Sequence, residues 1–201
     1  MLTYTILDDK GFLELINKGV YRAHSDFIDR DFKEHYDWLN NHLEKITPKP
    51  LGVSYPVWAF FIPADEPGDD GCGWTSPGIR LTVDVDINKC LFTSFDKWHY
   101  KLNNWWAYPN DDFTDPYDDY FNVDLNNLIF KDYLKNITWL DAIFTIEEAR
   151  DIQIVHWEIT MDMIKDVNLH QGSNTHPLNN KVNLYSSLIQ RYKELYSCLQ
   201  S

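Results

Sequence analysis

Only three cysteines occur in the 201 residues, Cys72, Cys90 and Cys198, and their spacings match neither a disulfide framework nor a zinc knuckle. A reducing, cytoplasmic setting is the expectation that follows. Positive charge is the second scarcity, because 18 Lys and Arg stand against 31 Asp and Glu for a net charge of −13. A broad basic surface is not expected, and this argues against duplex DNA as a partner. The longest unbroken apolar run, residues 55–62, contains a proline and is far shorter than the roughly 20 residues of a membrane helix. No membrane span is expected, and the first residues carry neither the basic nor the apolar region of an export signal. Glycine is sparse at eight residues, and no Gly-x-Gly-x-x-Gly, Walker or Gly-x-Ser-x-Gly motif is present. The familiar phosphate-cradling loops and the serine-hydrolase elbow are therefore set aside.

Aromatic side chains are what the chain has in excess: eight Trp, twelve Tyr and eleven Phe make up 15% of it. An aliphatic core does not need so many rings, so some are expected to line a site or an interface. The chain is 44% hydrophobic, enough to bury a sizeable core. Residues 2–7 read as a strand, and Asp8 or Asp9 caps a following helix that carries Phe12, Leu15 and Ile16 and stops at Gly19. Residues 20–24 are extended, which completes a compact opening unit over residues 1–24. A longer helix is predicted over residues 29–46, ended by Pro48 and Pro50.

The continuously apolar residues 55–62 predict a strand buried on both faces. Residues 63–78 hold four glycines and three prolines and read as a mobile loop. Clean alternation over residues 79–87 predicts a half-buried strand, a short extended piece follows at 90–93, and Ser94 then caps a helix through Trp98 and Leu102. Residues 105–122 contain five aspartates and no Lys or Arg among Trp, Tyr and Phe, so a large part of the net charge sits in one acidic aromatic segment. Helical patterns recur at 123–135 and 160–166, a strand at 152–160, and a final helix at 181–199. The simplest assembly is a single α+β domain, with a mixed or antiparallel sheet and flanking helices.

Two constellations carry candidate chemistry. Within 152–160, strand alternation turns Val155, Trp157 and Ile159 one way and His156, Glu158 and Thr160 the other, placing an imidazole beside a carboxylate. A fixed carboxylate of this kind stabilises an oxocarbenium ion or orients a sugar hydroxyl. The bland alternative is a solvent-facing strand. On the helix after Ser94, the residues Asp96, His99 and Asn103 share one face and could hold a ligand; no metal is inferred, because a third, distant ligand is lacking. Helix capping and one structural hydrogen bond are the bland reading there.

The order Tyr4-Thr5-Ile6, Gly19, Phe27-Ile28-Asp29, Tyr36-Asp37-Trp38, Tyr55-Pro56-Val57-Trp58, Ser94-Phe95-Asp96-x-Trp98-His99-x-x-Leu102-Asn103, then Ile152-Gln153 with Trp157-Glu158-Ile159, resembles a bacterial family catalogued only as a domain of unknown function. The layout of elements is more loosely similar to the mono-ADP-ribosyltransferase fold. That resemblance implies NAD as the substrate-like cofactor, Glu158 as catalytic acid, Tyr4 or Thr5 as the first-strand contact, and Trp98 or His99 beside the nicotinamide ring. Arg22 or Arg80 would pair with the pyrophosphate, Ser94, Asp96 and Asn103 would complete the cofactor set, and the 63–78 loop would close over it. The chain carries no Ser-Thr-Ser triplet or Glu-x-Glu pair, and Gln153 stands five residues before Glu158.

The leading expectation is an ADP-ribosyltransferase-like enzyme acting as toxin or effector in a toxin–antitoxin or phage-defence system, with an antitoxin or other protein as partner. One rival is a non-catalytic module that docks a basic protein through residues 105–122. The other is an RNA-processing toxin using His99, His156 and Glu158 as acid–base groups.

Overall fold

The computed structural model describes residues 1–61, 77–95, 98, 102, 152–171 and 179–199. Its opening unit follows from local signals. Strand β1 (Leu2–Leu7) leads to helix α1 (Asp9–Lys18), whose first turn is capped by Asp8: its carboxylate accepts from the Gly11 N–H at 2.7 Å. The helix ends at Gly19, left-handed at φ 74°, with its N–H on the Leu15 carbonyl at 2.8 Å. Strand β2 (Val20–Tyr21) follows, shorter than the extended stretch expected there. The predicted helix over 29–46 begins as a 3-10 turn at Arg30–Phe32 under an Asp29 cap, and continues as α2 (Lys33–Ile46).

Six strands form one antiparallel sheet. They are β1, β3 (Val57–Phe60), β4 (Gly78–Asp84), β5 (Leu91–Ser94), β6 (Ile152–His156) and β8 (Ile164–His170), in the order β5-β6-β3-β1-β4-β8. Strand β7 (Ile159–Thr160) pairs instead with β2 in a small second sheet. The last helix, α3, spans Asn179–Leu199. The result is a single α+β domain with an antiparallel sheet. Among the described residues no helix is long and apolar enough to cross a membrane.

The sheet separates two hydrophobic clusters. Register places Thr5 opposite Leu81 and Leu81 opposite Val167, and Ala59 opposite Ile154, so these side chains share one face. Helices α1 and α3 cover that face: Phe12 and Leu15 meet Tyr185, Leu188, Ile189 and Tyr192, which recur at helical spacing. Thr3 and Thr5 are buried polar groups there, and their hydroxyls donate to the carbonyls of Val83 (3.2 Å) and Trp58 (2.8 Å). The opposite face carries Val155 and Leu91, onto which α2 packs Leu39 and Leu43, with Trp98 and Trp157 beside them.

Three expectations are corrected. The helix foreseen at 160–166 is a 3-10 turn at Met161–Met163 followed by β8. An irregularity in the pairing of β4 with β8 sets Val83 opposite Ile164 while Leu81 faces Val167, so residues three apart share a face and imitate a helical period. The run 55–62 is not buried on both faces, because Trp58 and Phe60 are half-buried while Val57 and Ala59 are inside. The strand foreseen at 152–160 breaks at Trp157 and Glu158. Residues 62–76, 96–97, 99–101 and 103–151 lie outside the described residues, and with them the acidic aromatic segment, the 123–135 helix and nearly all of the 63–78 loop.

At Gly19 backbone conformation alone decides the residue, since an added Cβ would meet nothing within 4 Å. Gly19→Ala is expected to destabilise the fold by about 1 kcal/mol through its left-handed φ. Urea unfolding checks this, as a lower midpoint with an unchanged slope.

Candidate functional site

A cavity of about 560 Å³ opens on the α2 side of the sheet, within the range of small-molecule pockets. Ile6, Trp58, Phe60 and Gln153, from β1, β3 and β6, lie on the strand face that meets it. Tyr36 of α2, Tyr55, Trp98 and Leu102 form one wall, and Tyr21, Ala23, His24 and Ile28 another. The three rings of the first wall and Trp58 of the sheet face touch in series. Tyr55 meets Tyr36 at 5.7 Å, Tyr36 meets Trp98 edge-on at 5.3 Å, and Trp98 meets Trp58 at 5.1 Å. Burial raises the Tyr36 hydroxyl above its ordinary pKa, against the opposing pull of the Trp58 side chain.

The second wall depends on a close approach. A Cβ at Gly11 of α1 would stand 3.0 Å from the Tyr21 ring, so the bare backbone there lets the ring lie against the helix. Burial, with the charges of Asp8 and Glu14 adding to it, pushes the Tyr21 hydroxyl up to about 12. It stays protonated and able to donate at neutral pH.

Gln153 is the polar group on the sheet side. It is 4% exposed, and its Oε1 has no hydrogen-bond partner. Its neighbours in register are Phe60 on one side and Thr93 on the other. A buried amide oxygen left in this state costs about 1–3 kcal/mol.

The sequence-predicted residues divide among several places. Thr5 and Trp98 line the cavity. Tyr4 is half-buried on β1 between Phe60 and Thr82, outside the lining. Arg80 lies on β4 between Ile6 and Asn168, also outside it. Ser94 closes β5, and its side chain lies outside the described residues, as do Asp96, His99 and Asn103. Glu158 is not part of the cavity lining; its Oε2 accepts from the Nε and from a terminal nitrogen of Arg22, each at 2.8 Å. Arg22 also donates to the Leu51 carbonyl at 3.4 Å.

His156 and Glu158 do not share a polar strand face, because the chain leaves the sheet between them. His156 faces Val57 across the ladder and is buried, with Nδ1 3.0 Å from the Glu158 carbonyl oxygen and Nε2 unpartnered. Burial drives its pKa down to about 4, against the pull of Glu158, so the ring is neutral at physiological pH and its Nδ1 is the protonated donor. Trp157 stays on the α2 side, its indole N–H donating to the Thr47 carbonyl at 3.0 Å, whereas Ile159 packs in the opposite cluster.

Sequence reasoning missed Tyr21, Tyr36, Tyr55, Trp58, Phe60 and Gln153 as a group. For Tyr55, Trp58 and Phe60 the signal was the aromatic content of a run read as pure core. Among the described residues no group of three or more His, Cys, Asp or Glu is placed to hold a metal.

The family model described as Domain of unknown function (DUF3841) matches residues 2–165. The chain belongs to this family. The matched span takes in every residue of the cavity lining and also Arg22 and Glu158, and it stops short of α3. Comparison with curated proteins and with solved structures finds no match.

The neutral, buried His156 makes stability pH-dependent. Its folded pKa lies below the ordinary 6.5, so its contribution is complete above pH 6.5 and is lost as pH falls toward 4, by up to about 3 kcal/mol. Denaturant unfolding from pH 7 to 4 is expected to show this loss, and His156→Gln to remove that component of the slope.

Proposed function

We propose that this domain binds a small molecule through a flat ring held in the cavity, with NAD, presenting its nicotinamide end, as that molecule. The observation that carries the reading is the row of four touching rings beside an apolar sheet face that bears one unpartnered amide. Folded interiors normally close such space at crystal-like density. Rings that are already braced against one another lose little freedom when a further ring joins them, which favours stacked or edge-on binding.

The resemblance in layout adds a reaction to this binding. In it, Glu158 supports the ribose as nicotinamide leaves, ADP-ribose passes to an acceptor, and an effector role with an antitoxin partner follows from the consumption of NAD. Glu158 is held by Arg22 outside the cavity lining, so that chemistry requires the carboxylate to exchange Arg22 for the ribose hydroxyl. Binding and turnover are therefore separable properties of this protein. The two rivals have no specific observation in their favour: residues 105–122 and His99 lie outside the described residues, and His156 is enclosed.

Titration with NAD or nicotinamide, followed by tryptophan fluorescence, is expected to give a saturable change, and Trp58→Ala to weaken it roughly tenfold or more. No saturable response to either ligand would overturn the binding reading. Chromatographic assay of nicotinamide released from NAD tests the reaction. Glu158→Gln is expected to retain binding and lose at least about 100-fold in turnover, as when an electrostatic stabiliser is removed. Full turnover by that variant would take Glu158 out of the mechanism.

A further inference from the structure

We infer that Gln153 determines which rings this cavity accepts: those carrying an uncharged hydrogen-bond donor, such as a primary carboxamide or an amine, in preference to those carrying a carboxylate. The inference rests on the ring-binding reading and adds the chemistry of the ring's substituent. Gln153 is 4% exposed, lines the cavity, and holds an amide oxygen with no hydrogen-bond partner. Phe60, its cross-strand neighbour, has no side-chain donor to offer that oxygen, and the Trp58 indole makes no hydrogen bond to it.

A ligand donor placed there gains a hydrogen bond and removes the cost of a dry, unmatched acceptor, while a ligand lacking it leaves that cost standing. Sites built on a buried polar group discriminate far more sharply than apolar pockets for this reason. A primary carboxamide matches the glutamine on both counts, giving N–H to Oε1 and accepting from Nε2. A carboxylate brings acceptors alone. It would also enter beside Asp8, which lines the same cavity and whose charge contributes to the raised pKa of Tyr21. Both effects act against an anionic ring.

The test compares nicotinamide with nicotinate, and benzamide with benzoate, by tryptophan fluorescence on the wild-type chain, which needs no variant to fold. The amide of each pair is expected to bind at least about tenfold more tightly than its acid. Gln153→Met keeps the length and apolar packing of the side chain, and it is expected to weaken the amides roughly 5- to 30-fold and to narrow the gap to the acids. Saturable binding of all four compounds with equal affinity, unchanged in Gln153→Met, would overturn this inference and leave the ring site standing. Binding of none of them would overturn both.

Discussion

At Trp157 and Glu158 the chain leaves the large sheet, and three contacts hold it in that departure. The buried His156 ring donates to the Glu158 carbonyl, the Trp157 indole ties the bend to the end of α2, and Arg22 clasps the Glu158 carboxylate. Were β6 to run straight on, Ile159 would fall on the α2 side with Val155 and Trp157. It lies instead in the cluster beneath α1 and α3, and β7 pairs with β2. The segment after β2, whose Ala23 bridges to Tyr55, is thereby set along one wall of the cavity. The His–Trp–Glu sequence thus acts as architecture around the candidate site, whatever chemistry Glu158 adds.

The cavity itself follows from an uneven division of labour across the sheet. One face is fully covered by α1 and α3, and its residues pack as a core. The other receives α2 over β5 and β6, where Leu39 and Leu43 meet Leu91 and Val155. Toward β3 and β1 the large rings of Tyr36, Trp58 and Trp98 brace one another at 5.1 to 5.3 Å, and the space beside them stays open. Rings are suited to this role because they are stiff and can stand partly uncovered without collapsing into the gap. The aromatic excess in the composition is in part the material of that wall.

The opening unit was legible residue by residue. Asp8 as cap, Gly19 as terminator and the bounds of β1 depend on interactions spanning a few residues, and local chemistry decides them. The alternation of Ile79, Leu81 and Val83 was equally plain, because β4 has one core face along its length. Legibility failed where a residue's surroundings come from distant chain. The irregular register between β4 and β8 gave Ile164 and Val167 a helical spacing. Trp58 and Phe60 looked like core because hydrophobicity cannot tell a packed face from a cavity lining. Thr5 and Trp98 both fall in the lining of one cavity, whereas Glu158, expected to join them, is held elsewhere by an arginine 136 positions away.

The sequence by itself determined the α+β class, the capped first helix, the family and the aromatic surplus, since each is written in composition or in contacts of short range. Tertiary structure alone decided that Gln153 is an unsatisfied amide against a ring-walled cavity, that His156 is enclosed and neutral, and that Glu158 belongs to an ion pair. The physical reason is that burial and partner choice are properties of space. A glutamine has no unmet hydrogen bond, and a histidine no lowered pKa, until folding has removed the water that would otherwise serve them.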